Sequence, residues 1–456
     1  MGRIRSVVDR PGASGVVLAA CAVLILAPLV GLLLVSIANL VPDRLILDEL
    51  AAAVARQELI PSNFGGATSG RPMDYFTDCI GLTIGLGDEI GTSRWSAPLR
   101  SPTLGACSRA VPAIQGYVDG NGLERSNEYF RYWHGYAAVT RPLVATVGVA
   151  ATRMVFFWAM IAALAGFGRR LARHHSSMVA VGLLVPFVLT TDLLELPRSL
   201  PHAAGALTSI LTAWLAHRVV TTRADLTSVV AVSVFAGSAY VYFDILTLPP
   251  GTWALLVFSV LLAASLGRTG RDLAVVGALS TAGWIIGWAW MWSSKWAFAS
   301  LVYGIDDVRS NIGDAVEIRL NEERSYIDLG FFRSTRLAVS TWFDHPLTPL
   351  VVTVIAVAVI AVMVRRSPAE RRARLGDRLV LLAPTVIPFV WFEILRNHTQ
   401  VHAGFTYRSV GVVAGIVAAA LLVRLAPVVA ASSEPDAPGG STAAPLEATM
   451  PERAPR

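Results

Sequence analysis

The sequence predicts an all-α polytopic membrane protein, with about ten transmembrane helices by the length rule and a long first extracytoplasmic loop forming a small lobe. Three observations carry this. Hydrophobic residues make up 54% of the chain and charged residues only 15%, where a soluble domain carries about 25% charged residues. Apolar runs of the roughly 20 residues needed to cross hydrocarbon recur from one end to the other. The connectors between them alternate, arginine-rich and short on one side, longer and mixed on the other, as the positive-inside rule expects.

Taken in order, "MGRIRSVVDR" (1–10) places three arginines before the first apolar run, about 15–40. That run exceeds the roughly 7–15 residue core of a signal peptide, so an uncleaved anchor with a cytoplasmic N-terminus is expected. The long loop at 42–140 opens with "PDRLILDELAAAVARQEL", whose Leu45, Ile46, Leu50, Val54 and Leu59 suggest an amphipathic helix lying in the interface. Further spans are expected near 141–167, 178–195, 203–218, 226–246, 252–267, 272–292, 346–364, 379–395 and 408–425. The connectors "RRLARHH" (169–175), "HRVVTTRAD" (217–225), "GRTGRD" (267–272) and "RRSPAERRARLGDR" (365–378) then all face the cytoplasm, and a second long loop (294–345) faces outward. Residues 1–431 thus read as one polytopic domain. The remainder, 432–456, is rich in Pro, Ala, Ser and Glu and reads as a disordered cytoplasmic tail.

The net charge of +6 resides in those short loops and implies no nucleic-acid partner. All but one of the 38 basic residues are arginine, the exception being Lys295. There is no GxxxxGK[ST] phosphate loop, which argues against primary transport by this chain alone. Cys21 lies in the first span, whereas Cys79 and Cys107 share the first long loop. An oxidising compartment permits a disulfide there, but spacing alone leaves open two free thiols.

Ionisable groups in or near a bilayer are costly, and they gather on the expected outer side: His134, His202, His345, His398, His402, Asp74, Asp78, Asp88, Glu89, Asp192, Glu195, Asp244, Lys295 and Arg408. In "EILRNHTQVHAGFTYRSV" (393–410), His398 and His402 stand four apart, on one face if helical. A zincin needs HExxH, and Thr399 occupies the glutamate's place. Two imidazoles beside Arg408 suit an anion, a phosphate above all, because guanidinium offers a bidentate fork; the alternative is a solvated turn. "EYFRYWHGYAAVTRP" (128–142) contributes Trp133 and His134, as interfacial anchorage or as an aromatic surface for a sugar. "WMWSSKWAF" (290–298) sets Lys295 among tryptophans. "GRPMDYFTDCIGL" (70–82) supplies Asp74 and Asp78, each a general base for an acceptor hydroxyl or a helix cap, with Asp78 ranked first as the base.

This arrangement resembles the C-type (GT-C) glycosyltransferases, with many spans, a long first outer loop holding an essential aspartate, and a polyprenyl-phosphate sugar donor. The blocks "DYFTDCIGL", "RYWHGY", "YFDILTLP", "SKWAFA" and "NHTQVHAGFTYR" resemble uncharacterised bacterial polytopic proteins of cell-envelope polysaccharide loci. The resemblance implies Asp78 as base, with Asp74 beside it, and a substrate site drawn from Trp133, His134, Asp244, Lys295, His398, His402 and Arg408. It implies a polyprenyl-phosphate-linked sugar as donor, a glycan or lipid as acceptor, and membrane lipids as surroundings. A divalent metal is a possible cofactor in that superfamily, yet only "GDEI" (87–90) stands where its metal-dependent members carry an acidic pair. Two rival expectations are a transporter or flippase for an envelope precursor, and a membrane O-acyltransferase with a histidine base.

Overall fold

The computed structural model describes residues 13–65, 73–86, 95–123, 127–129, 131–223, 225–320, 327–328, 330–367 and 374–425. The N-terminal arginines, the GDEI segment and the 432–456 tail lie outside the described residues. The chain is about 80% helical, an all-α polytopic architecture. Among the described residues, eight helical stretches are long and apolar enough to cross a membrane. They include α1 (Ala13–Ala38), α6 (Ala137–His174), α8 (Leu200–Arg223), α9 (Leu226–Phe243), α11 (Gly270–Tyr303) and α14 (Thr348–Arg365). Leu375–Ile394 and Ala403–Leu422 complete the eight. Two expected spans, 178–195 and 252–267, are instead the shorter apolar helices α7 (Ser177–Leu189) and α10 (Pro249–Ala264).

The helix α10 is apolar all round, and every residue in it except Trp253 is buried. Such a helix has to be wrapped by others; α8, α9 and α11 pack on it. At the rim, α1 and α14 instead expose Leu18, Ile25, Val357 and Val364, the surface a helix turns to hydrocarbon. The helices α9 and α11 cross with their backbones in close approach. A Cβ on Gly287 would meet the Val234 carbonyl oxygen at 2.0 Å, and one on Gly237 the Trp284 carbonyl oxygen at 2.2 Å. With Gly283 one turn before Gly287, this is the small-xxx-small packing by which membrane helices bring their backbones together.

Helices run past their expected ends for one reason, as two boundaries illustrate. The arginine connector at 169–175 is helical as far as His174, and Lys295 sits inside α11 rather than in a loop beginning at 294. Hydropathy marks where the hydrocarbon ends, whereas a helix satisfies its own backbone and continues until something stops it. Here Gly304, with φ 95°, ends α11. The arginines of the 365–378 connector have a further role: Arg366 and Arg378 donate to the carbonyls of residues 420–423, the orphan acceptors where the Ala403–Leu422 span ends.

Between α1 and α6 lie α2 (Asp43–Ala55), α3 (Tyr75–Thr83), α4 (Ala97–Arg100) and α5 (Cys107–Val118), with two short antiparallel pairs of strands. The buried face of α2 is Ile46, Leu47, Leu50 and Ala53, while Leu45 is exposed, so the amphipathic stripe lies one residue from the expected one at its start. Cys79 and Cys107 are joined in a disulfide that ties α3 to α5, with Cα atoms 5.0 Å apart. The second expected loop is largely helical too: after α11 come α12 (Ile305–Leu320) and α13 (Arg333–Phe343).

Candidate functional site

The helix α3 begins at Asp74, whose side chain caps it by accepting from Thr77 N–H at 3.2 Å. The same carboxylate accepts from His202 Nε2 at 3.1 Å, in the first turn of α8. A carboxylate only accepts, so Nε2 carries the hydrogen, and in a neutral ring Nδ1 is then the acceptor. Opposite Nδ1, at 2.8 Å, stands the Thr247 hydroxyl. Thr247 N–H in turn donates to Asp244 Oδ2 at 2.8 Å, at the turn leaving α9. Asp74, His202, Thr247 and Asp244 are all buried. Three chain segments therefore converge on one carboxylate–imidazole–hydroxyl relay, with a second carboxylate behind it.

The two carboxylates differ in charge preference. Burial pushes Asp74 up, but the hydrogen bonds from His202 and Thr77 outweigh it and hold the group below the usual aspartate range. At Asp244 burial prevails over the hydrogen bonds from Thr247 and Tyr240, and the group is raised. Its Oδ1 has no hydrogen-bond partner among the described residues and points at Gly205, where a Cβ would stand 2.1 Å from that oxygen. Only glycine at 205 lets the carboxylate lie there.

One side of the relay is less sealed. The Phe405 ring lies 4.5 Å from the His202 ring, centroid to centroid, and stacks at 5.8 Å on His402, whose ring is 4.7 Å from that of His398. Phe405 and His402 are half-buried, whereas His398 is buried. The i, i+4 spacing does bring the two imidazoles together, although the helix carrying His398 (Arg396–Val401) ends before His402. Arg408 approaches Phe405 at 5.7 Å and is anchored by the Thr191 carbonyl at 2.8 Å and the Gly404 carbonyl at 3.0 Å. Nearby, Asp192 takes hydrogen bonds from His345 and from the Tyr407 hydroxyl.

Asp78 belongs to a different environment. It is completely buried, ion-paired with Arg153 of α6 and accepting from Leu200 N–H at 3.0 Å. Lys295, Trp133 and His134 form another group. The Lys295 ammonium, wholly buried, is held by Ser101 Oγ at 2.8 Å and by the Tyr132 carbonyl. His134 bridges the Tyr136 hydroxyl at 2.7 Å and the Tyr129 carbonyl at 2.8 Å, with a left-handed backbone at φ 54°. Burial, then the Lys295 charge, hold its pKa well below the usual histidine value. Among the described residues, Lys295 and Arg408 are held by different groups, Lys295 by Ser101 and Tyr132 and Arg408 by Thr191 and Gly404. Among the described residues, no three His, Cys, Asp or Glu side chains gather as a set of metal ligands.

No family model, no curated protein and no solved structure matches this chain. The chemistry must therefore be argued from these contacts. Sequence reasoning grouped His202 with Asp74 and Asp244 as ionisable residues but did not join them, and missed Thr247 altogether. The available signal was weak: a histidine and a threonine, each beside prolines at the end of an apolar run, in "RSLPHAAG" and "FDILTLPPG".

Proposed function

We propose that the chain is a membrane glycosyltransferase of GT-C-like architecture, moving a sugar from a polyprenyl-phosphate donor to a cell-envelope glycan or lipid. It works on the extracytoplasmic side of the cell membrane, with both termini in the cytoplasm and the short helices α7 and α10 completing ten passages. The observation that carries this is the Asp74–His202–Thr247 relay beneath half-buried Phe405 and His402. The order of the two aspartates is reversed from the sequence expectation. A base must reach its proton; Asp78 is already committed to Arg153, whereas Asp74 orients an imidazole.

In this mechanism the acceptor hydroxyl passes its proton to the Thr247 oxygen while Thr247 passes its own to His202 Nδ1. The acceptor oxygen attacks the anomeric carbon, the bond from that carbon to phosphate oxygen breaks, and the lipid phosphate leaves with the electron pair. Asp74 stabilises the imidazolium, as a carboxylate does behind any histidine base. Arg408 and His402 stand where the leaving phosphate gains charge.

A second reading is favoured by the same relay, because hydroxyl, imidazole and carboxylate in series also describe an activated nucleophile. Thr247 would then carry an acyl group. Analysis of envelope glycans in a deletion strain separates the two: one missing sugar linkage supports glycosyl transfer, and missing O-acyl groups on intact glycans support the alternative. Unchanged glycans and acylation would sink both. In the purified protein, Thr247→Val should slow glycosyl transfer about 10²–10⁴-fold, against complete loss in an acyl transfer that needs its oxygen.

A further inference from the structure

On the side of α3 away from Asp74 and Asp78, the structure contains an open cleft of about 450 Å³ between α3, the start of α5 and the residues Glu128, Tyr129 and Arg131. Its walls include Asn63, Phe76, Arg109, Glu128, Tyr129 and Arg131. The Arg131 guanidinium lies 4.9 Å from the centre of the Tyr129 ring, and that stacking fixes its plane. Among the described residues, neither Arg109 nor Arg131 is in an ion pair, while the one carboxylate present, Glu128, is neutralised by Arg100 at 3.0 Å. Two guanidiniums with no ion-pair partner among the described residues thus line the space, that of Arg131 also hydrogen-bonded to the Tyr129 side chain. Asn63 accepts from Ser108 N–H through Oδ1, which leaves its NH₂ as a donor. Phe76 and Tyr129 add two aromatic surfaces of the kind that cover the apolar face of a pyranose.

We infer that this cleft binds a sugar bearing a carboxylate or phosphate group, with Arg109 and Arg131 on the anion and Tyr129 or Phe76 under the ring. The volume falls within the range of small-molecule sites, and guanidinium is the side chain suited to either anion. The Tyr129 carbonyl on the cleft wall accepts from the buried His134. Its role as the acceptor subsite rests on the glycosyl-transfer proposal; the binding of an acidic sugar does not.

The test is titration calorimetry on the whole purified protein with four probes: tri-galacturonate, glucose 1-phosphate, maltotriose and inorganic phosphate. Tri-galacturonate, glucose 1-phosphate or both should bind at least tenfold more tightly than maltotriose, and which of them does identifies the anion. Joint substitution Arg109→Gln and Arg131→Gln should weaken that binding about tenfold to a hundredfold, as loss of charge-assisted contacts does. Arg109→Gln alone, at an exposed position, should give a measurable share of the loss if the double variant fails to fold. Equal affinity for maltotriose, inorganic phosphate binding as well as its sugar ester, or full affinity in folded arginine variants would each overturn the assignment. Asp74→Asn should retain acidic-sugar binding. Binding without any missing linkage in the deletion strain would remove the glycosyl-transfer proposal and leave the cleft standing; a missing linkage without binding would do the reverse.

Discussion

Asp74 and Asp78 stand one helical turn apart on α3, and their neighbours give them different work. Around Asp78, Arg153 and the Leu200 N–H satisfy a carboxylate removed from water. Removing one partner of such a pair leaves an uncompensated buried charge, which costs about 3–5 kcal/mol. Arg153→Met should therefore lower thermal stability severely. Asp78→Asn should reduce the yield of folded protein yet leave turnover per folded molecule near wild type; a folded but inactive Asp78→Asn protein would restore Asp78 as the base. Asp74→Asn should show the opposite pattern, with turnover down about 10²–10⁴-fold. Asp74 also carries a pH signature. Because folding lowers its pKa, its contribution to stability is complete above the ordinary aspartate value near ~3.9 and is lost as pH falls through the lower folded value. Acid unfolding curves should show a shallower loss below about pH 4 in Asp74→Asn than in wild type.

At the scale of elements, the crossing of α9 and α11 sets how the bundle closes. Gly287→Ala would force a methyl into the Val234 carbonyl, 2.0 Å away, and since backbone cannot step aside as a flexible side chain does, the helices must separate. Overpacking of this kind costs about 1–3 kcal/mol. Gly313 in α12 provides the contrast: a Cβ there meets nothing within 4 Å, so Gly313→Ala should be neutral or stabilise by about 0.4–1 kcal/mol through the unfolded chain. Thermal unfolding of the two variants in the same detergent checks the pair, and equal midpoints would contradict the packing described. Helix ends were the least legible feature of the sequence, as α11 illustrates. The apolar run ends near 292, while the helix runs on to Tyr303 through Lys295. The ammonium can stay inside because Ser101 and Tyr132, more than 160 residues earlier, supply its oxygens.

For the whole molecule, the proposed orientation makes the α3–α5 segment extracytoplasmic and the arginine connectors cytoplasmic. The native Cys79 and Cys107 cannot report it, since both are buried in a disulfide. Val118→Cys and Arg223→Cys, at exposed positions, can do so in a Cys21→Ser background. An impermeant thiol reagent on intact cells should label the first and reach the second only after lysis. The reverse pattern would invert the protein and with it the side on which the relay works.

By itself the sequence determined the class of the molecule and the positions of most spans. Each of these follows from local composition: hydrocarbon thickness sets the length of an apolar run, and arginine resists transfer across the membrane. Even the meeting of His398 with His402 was legible, because i, i+4 spacing is a local geometry. The relay was not. Asp74, His202 and Thr247 are separated by more than 120 and then 45 residues, and no periodicity links them. Only the packing of α3 against the start of α8, beside the turn that leaves α9, brings a carboxylate, an imidazole and a hydroxyl within hydrogen-bond reach. The same packing committed Asp78 to Arg153, because two aspartates one turn apart on a buried helix cannot both remain available when a neighbouring helix places a guanidinium against one of them.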